Sequence, residues 1–255
     1  MAMPDSWREM FLQHASGMDY AQALQAAKQR LHEAADRYDR LHVAFSGGKD
    51  SLVCLHLAVQ LLDPEKLWVA HYDFGRPSAK RSNVFPEWFE RETESVVVHH
   101  FGMPLTVITK RRNFRSEEEA LEGRRPGVRV QFVEDAAFWI KATEGVAKTH
   151  GCNASVVGLR AQEGAGRKKR VGGNQWISST MPEVWPVADW SELDVWAHII
   201  SHNLPYTSAY DRQAALTGSY MGLRTRSLFD DGCKYVTSTD IDGVLFWRDR
   251  PRRKA

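Results

Sequence analysis

The sequence predicts a doubly wound α/β domain on a mainly parallel sheet, with N-terminal helices before it and an irregular C-terminal region after it. Three observations carry that reading. Apolar runs of strand length stand at residues 41–45, 67–72, 103–109 and 154–160. Segments of helical period separate them, at residues 52–62, 85–100 and 133–150. The strand-like runs give way to polar segments, with glycine in the turns after the first, second and fourth, and in such sheets ligands bind at the carboxyl ends of the strands.

At 255 residues the chain has length for one large or two small domains with a real core. The formal net charge is only +2, so whole-chain electrostatics single out no polyanionic partner and only local clusters can. No apolar stretch is long enough to span a bilayer and residues 1–10 lack a signal-peptide pattern, so a cytoplasmic protein without a membrane partner is expected. Three cysteines, Cys54, Cys152 and Cys233, are scattered without a CxxC pair, and no iron–sulfur cluster is expected. Neither repeats nor low-complexity segments mark a linker. The chain divides into a helical segment (1–40), a nucleotide-binding α/β domain (41–210) and an extension with a basic tail (211–255).

In chain order, residues 5–38 read as two helices broken at Gly17, the second with Leu24, Ala27, Leu31 and Ala35 at helical spacing. Such a single apolar stripe more commonly packs on a core, and otherwise forms a partner surface. The first strand leads into Ser46-Gly47-Gly48-Lys49-Asp50-Ser51 and an apolar helix. The glycines let the backbone turn tightly and approach an anion, Ser46 and Ser51 bring hydroxyl donors, and Lys49 brings a compact charge. Strand, loop and helix together form an anion cradle of backbone N–H groups. Taken alone, the hexapeptide also fits a plain turn with Asp50 or Ser51 capping the helix.

The second strand ends at Asp73-Phe74-Gly75, where an acid can accept from ribose hydroxyls or help hold a cation beside phosphates, or can simply form a turn. Phe85-Pro86-Glu87 opens the next helix. After the third strand come Lys110, Arg111, Arg112 and Arg115, and Arg124-Arg125-Pro126-Gly127 reads as an exposed loop. The fourth strand ends in Gly158-Leu159-Arg160, followed by a mobile cationic loop with Arg167, Lys168, Lys169 and Arg170. Arginine suits such a place because its planar fork binds phosphate or sulfate bidentately. Ser191 and Asp194 form a capping box for a helix carrying Leu193, Val195, Trp196, Ile199 and Ile200.

SGGKDS after a hydrophobic strand resembles the PP-loop of ATP pyrophosphatases. The ordered set of Asp73, Phe85-Pro86-Glu87, Gly158-Leu159-Arg160 and residues 185–210 resembles the branch that holds phosphoadenosine phosphosulfate (PAPS) reductases, the small ATP sulfurylase subunit and DNA-sulfur-modification proteins. The resemblance implies an adenine nucleotide alpha hydrolase-like fold, sulfur metabolism, and ATP (or PAPS or APS) with Mg²⁺. It implies catalytic roles for Lys49 and Arg160. Nucleotide contacts would come from Ser46, Gly47, Gly48, Asp50, Ser51, Asp73, Gly158, Arg167 and Arg170, with Asp50 and Asp73 at the metal. The expected reaction cleaves ATP at the α-phosphate, adenylylating an acidic or sulfur-containing co-substrate and releasing pyrophosphate.

Two other readings stand beside it. The reductases use a thiol in a C-terminal Glu-Cys-Gly segment, for which this chain offers Asp231-Gly232-Cys233, with Lys234 able to lower the thiol pKa. A non-catalytic nucleotide-binding subunit could instead dock a protein or nucleic acid through its basic tail, with Arg248, Arg250, Arg252, Arg253 and Lys254.

Overall fold

The computed structural model of the chain describes residues 3–75, 87–135, 137–172 and 181–223. Phe85, Pro86, Cys233 and the basic tail lie outside them.

Six strands form one sheet in the order β4-β3-β2-β1-β5-β6: β1 (Leu41–Ala44), β2 (Leu67–Tyr72), β3 (Leu105–Lys110), β4 (Val128–Val133), β5 (Ala154–Val156) and β6 (Glu183–Val184). All five pairings are parallel. The chain runs outward from β1 to β4 and then returns to the other side of β1 as β5. The strand order therefore reverses between β1 and β5, and a crevice opens there at the carboxyl ends.

Side chains alternate across the strands as period two requires. Leu67 and Val69 join the larger core with Leu31, Leu55, Trp190 and Trp196, whereas Trp68, Ala70 and Tyr72 join a second core with Ala142, Val146 and Ala147. Helices thus cover both faces. Helices α1 (Asp5–Ala15) and α2 (Met18–Arg37) are split at Gly17, and Phe11 of α1 stacks on Trp196 at 5.8 Å. α3 (Lys49–Leu61) follows β1, and α4 (Glu87–Ser95) runs into a π turn before β3. Next come α5 (Glu117–Leu121), α6 (Trp139–Thr149) and α7 (Ala165–Gly172), then α8 (Glu192–Ser201) and α9 (Ala209–Thr217). The Ser191–Asp194 capping box is present at α8.

Several secondary-structure elements depart from the sequence reading. Residues 128–133 form the edge strand β4, and helix appears only from Trp139; Val128, Val130 and Phe132 alternate with Arg129 and Gln131, a period-two signal hidden by the charges around it. The two-residue β6 is too short to announce itself. The fourth strand stops at Val156, and residues 157–160 continue as irregular backbone. The segment read as a mobile cationic loop is a 3₁₀ turn (Ala161–Glu163) followed by α7, whose Arg167 pairs with Glu163 one helical turn back.

Candidate nucleotide site at the switch point

The loop after β1 turns through Gly47 at φ +76°, and a Cβ there would lie 2.4 Å from Thr93 Oγ1 and 2.7 Å from the Phe89 ring. Only glycine meets both demands. Gly48 is the extended N-cap of α3 and no side chain caps it, so neither Asp50 nor Ser51 plays that part. The first α-helical bond of α3 closes from Leu52 N–H to the Gly48 carbonyl at 2.9 Å, so the amides of Lys49, Asp50 and Ser51 precede the ladder. Ser46 and Ser51 knit the loop together: their hydroxyls are 3.0 Å apart, and the Ser46 amide donates to Ser51 Oγ at 3.2 Å.

Across the switch point, residues 157–160 pack directly on this helix start. A Cβ on Gly158 would sit 2.7 Å from the Asp50 carbonyl carbon and 2.8 Å from the Ser51 nitrogen. Gly158 is thus required for backbone contact between the two segments. The buried Arg160 closes the same contact from its side chain, donating from Nε to Asp50 Oδ1 and from a terminal nitrogen to the Trp190 carbonyl at 3.4 Å.

Lys49 is 1% exposed, and its ammonium is turned into the protein. It donates to the Leu223 carbonyl at 2.6 Å, lies 3.2 Å from Glu192 and 3.8 Å from Asp50, and sits over the Tyr210 ring. Its backbone amide donates to the Tyr210 hydroxyl at 2.8 Å. The structure therefore brings Ser46, Gly47, Gly48, Lys49, Asp50, Ser51, Gly158 and Arg160 together, with Lys49 and Arg160 as internal braces of α3. Arg167 and Arg170 lie on α7 beyond Arg160, paired with Glu163 and Glu183, and Arg170 also packs over Trp185.

Asp73 is fully buried past the end of β2. Its Oδ1 accepts from the Gly75 amide at 2.7 Å, and its Oδ2 pairs with Arg124. Arg124 also binds Glu94 of α4. Burial works against its charge, but Asp73 and Glu94 outweigh burial and keep the guanidinium protonated. Arg124 is therefore a buried ionic anchor: residues 124–127 form a loop with Pro126 and Gly127 exposed, as read, but the Arg124 side chain is folded inward.

Two residues before Asp73, His71 holds the Phe45 carbonyl and Glu90 of α4, at 2.9 and 2.7 Å. Burial alone would lower the His71 pKa, yet Glu90 outweighs it and raises it to about 9. Burial, then Asp73, pushes Glu90 upward as well, so the pair keeps its proton through neutral pH. Sequence reasoning missed His71, Glu90, Thr93, Arg124 and Tyr210. A signal existed in α4, where Phe89, Glu90, Thr93 and Glu94 share one helical face, a pattern that puts two carboxylates inside.

The residues read as cation holders do not share a site. Asp50 is bound by Arg160 and Asp73 by Arg124, and among the described residues no three His, Cys, Asp or Glu converge as a metal site would require. The arrangement does not fit a preformed magnesium site. The described cysteines are also unsuited to nucleophilic work: burial pushes the Cys54 thiol up beyond the usual range and Cys152 up to about 11. Among the described residues no helix is long and apolar enough to cross a membrane.

Similarity to known proteins follows the same elements. The family model described as the phosphoadenosine phosphosulfate reductase domain matches residues 40–225. A protein from Saccharophagus degradans named "Sulfate adenylyltransferase subunit 2" is 25% identical over 207 residues, covering 71% of this chain and 63% of the relative. One of the same name from Mycolicibacterium gilvum is 27% identical over 236 residues, covering 78% and 68%. A solved phosphoadenylyl-sulfate reductase from Candida auris superposes with a TM-score of 0.48 at 16% identity, over 73% of this chain and 84% of that one. The chain spans a little under two thirds of the length of the first of these relatives. The matched span takes in the cradle after β1, the acid after β2, the Gly158–Arg160 contact and the capped α8, and by it this chain belongs to the phosphoadenosine phosphosulfate reductase domain family.

Proposed function

We propose that this chain binds ATP at the switch point and cleaves it at the α-phosphate, transferring the adenylyl group to an acidic acceptor. The observation that carries the reading is the packing of Gly158 and Arg160 onto the first turn of α3, which fixes the loop and the helix N-terminus at the carboxyl end of β1, where a helix start attracts an anion. An acceptor oxygen attacks the α-phosphorus, the bond from that phosphorus to the oxygen bridging toward the β-phosphorus breaks, and pyrophosphate leaves with the bonding pair. The cradle amides offset the charge that grows on the leaving group, and positioning does the rest.

Lys49 serves by neutralising Asp50 and Glu192 behind the cradle, and Arg160 by fixing Asp50. Arg167 and Arg170, with the exposed Lys168 and Lys169, give α7 a cationic character suited to the acceptor side. Magnesium would arrive with the triphosphate, held mainly by phosphate oxygens; no step here depends on it. The relatives' printed name, "subunit 2", supports a protein partner for this chain.

Incubation with ATP, Mg²⁺ and a panel of oxyanions, sulfate first, should release pyrophosphate with at least one acceptor. No release with any acceptor, together with no ATP binding by calorimetry, would reject the reading. Sulfonucleotide reduction is favoured by the family description, but Cys54 and Cys152 are sealed, so it would rest on Cys233. Thiol-dependent sulfite release that disappears in Cys233→Ser would support it over adenylyl transfer.

A further inference from the structure

The cradle is gripped from below by a pair of buried groups that its chemistry does not directly need. His71 stands on the face of β2 that also carries Leu67 and Val69, and its side chain is 1% exposed. A carbonyl oxygen can only accept, so the 2.9 Å contact with Phe45 puts a hydrogen on His71 Nδ1. Phe45 follows the last residue of β1: its amide still pairs with the Ala70 carbonyl of β2 at 2.9 Å, while its own carbonyl turns to His71. That carbonyl belongs to the peptide whose N–H is the amide of Ser46. The peptide is planar and trans, so fixing the oxygen fixes the N–H in the opposite direction. The Ser46 amide accordingly points away from His71 and onto Ser51 Oγ, at the cradle side. A donor on the oxygen also polarises the peptide and strengthens the N–H at its other end.

Glu90 holds the far side of the imidazole, and its other oxygen, Oε1, is buried with no hydrogen-bond partner among the described residues. Such an arrangement is costly for a group that only fills space. The helix that supplies Glu90 also presses Phe89 and Thr93 against Gly47, so two successive parts of the loop are set from α4.

We propose that His71 and Glu90 are positioning residues for phosphate binding, fixing the Ser46 amide on Ser51 Oγ and with it the loop that presents the remaining cradle amides to the anion. This rests on the reading of the loop as a phosphate site. The pair should act on ligands that carry phosphate and leave the nucleoside part untouched.

The test is calorimetric titration of the full chain with inorganic pyrophosphate, ATP and adenosine, each against two double variants. His71→Leu with Glu90→Leu removes the donor and the buried charge together, in a volume the core accepts. His71→Asn with Glu90→Gln retains an N–H able to reach the Phe45 carbonyl. The leucine pair should bind pyrophosphate and ATP about tenfold more weakly, the scale of one lost hydrogen bond, with adenosine unchanged. The Asn/Gln pair should recover most of that loss.

A folded leucine pair that binds pyrophosphate like the wild type overturns the proposal, as does a parallel loss of adenosine affinity, which a merely structural role would produce. If the leucine pair does not fold, His71→Met with Glu90→Gln replaces it against the Asn/Gln pair, and equal pyrophosphate affinities of those two overturn the proposal. A wild-type chain that binds neither pyrophosphate nor ATP overturns the phosphate reading and this inference with it. A wild type that binds while the variants do not differ removes the inference alone.

Discussion

Gly47 and Gly158 do different work although both are glycines of a ligand loop. Gly47 combines a left-handed backbone with wall contact to Thr93 and Phe89, so Gly47→Ala incurs about 1–2 kcal/mol of backbone cost before any clash is relieved. Gly158 has an ordinary backbone angle and is demanded by contact with α3 itself. Gly158→Ala should cost about 1–3 kcal/mol as overpacking and displace the α3 start, lowering the melting temperature and ATP affinity together. Arg124 gives a third case. Replacing it by Met leaves Asp73 and Glu94 without their cation, which predicts about 3–5 kcal/mol lost in urea unfolding. The sequence made the loop glycines and Asp73 legible as a set, because strand, turn and helix follow one another locally. Arg124 was illegible for the opposite reason: a basic run beside Pro126-Gly127 looks solvated, and its two acids come from β2's end and α4, distant in sequence.

At the scale of elements, α4 and α8 organise the two sides of the cradle. α4 touches it through Phe89, Thr93 and the Glu90–His71 pair, and Glu92 accepts from Thr207, the Ser208 amide and the Ser208 hydroxyl just before α9, the helix that carries Tyr210 to Lys49. α8 starts at its capping box, and Ser191→Ala should cost about 1 kcal/mol, read as a lower melting temperature. Where α8 crosses α2 and α3, Tyr20, His198 and His56 form a buried hydrogen-bonded chain, with His202 stacked on His198 at 4.1 Å.

Burial lowers His56 to about 4 and His198 to about 2, the neighbouring His202 adding to both; His100 faces His56, and His56 and Lys28 face His198. The unfolded chain binds these protons at the ordinary value of 6.5, so it holds more protons than the folded chain below that pH. Stability should therefore fall as pH drops from 6.5 toward about 4, on the order of 1 kcal/mol per pH unit for each histidine. Thermal melts between pH 7.5 and 5 check this, and His56→Gln with His198→Gln should flatten the slope. His71 has the opposite sign: its contribution is present below 6.5 and is lost as pH rises through about 9. The helices of the N-terminus and the cap of α8 were readable from spacing and capping chemistry. β4, β6 and α7 were not, because the alternation of β4 is masked by the charged residues flanking it, β6 has only two residues, and α7 is a glycine-flanked basic helix without an apolar stripe.

For the whole molecule, strand order decides where these parts meet. The chain could have placed β5 beyond β4, and the loops after β1 and β5 would then lie at opposite ends of the sheet. Pairing β5 with β1 instead brings Gly158 and Arg160 against the cradle, a juxtaposition that no local pattern encodes. The central claim is that this crevice holds an adenine nucleotide by its phosphates. Calorimetric titration of ATP into the wild type and into Gly47→Ala, with melts to confirm that both are folded, tests it most directly. One ATP should bind per wild-type chain, with affinity at least about a hundredfold lower in the variant; a wild type that binds no ATP, or a folded Gly47→Ala that binds it equally well, would contradict the claim.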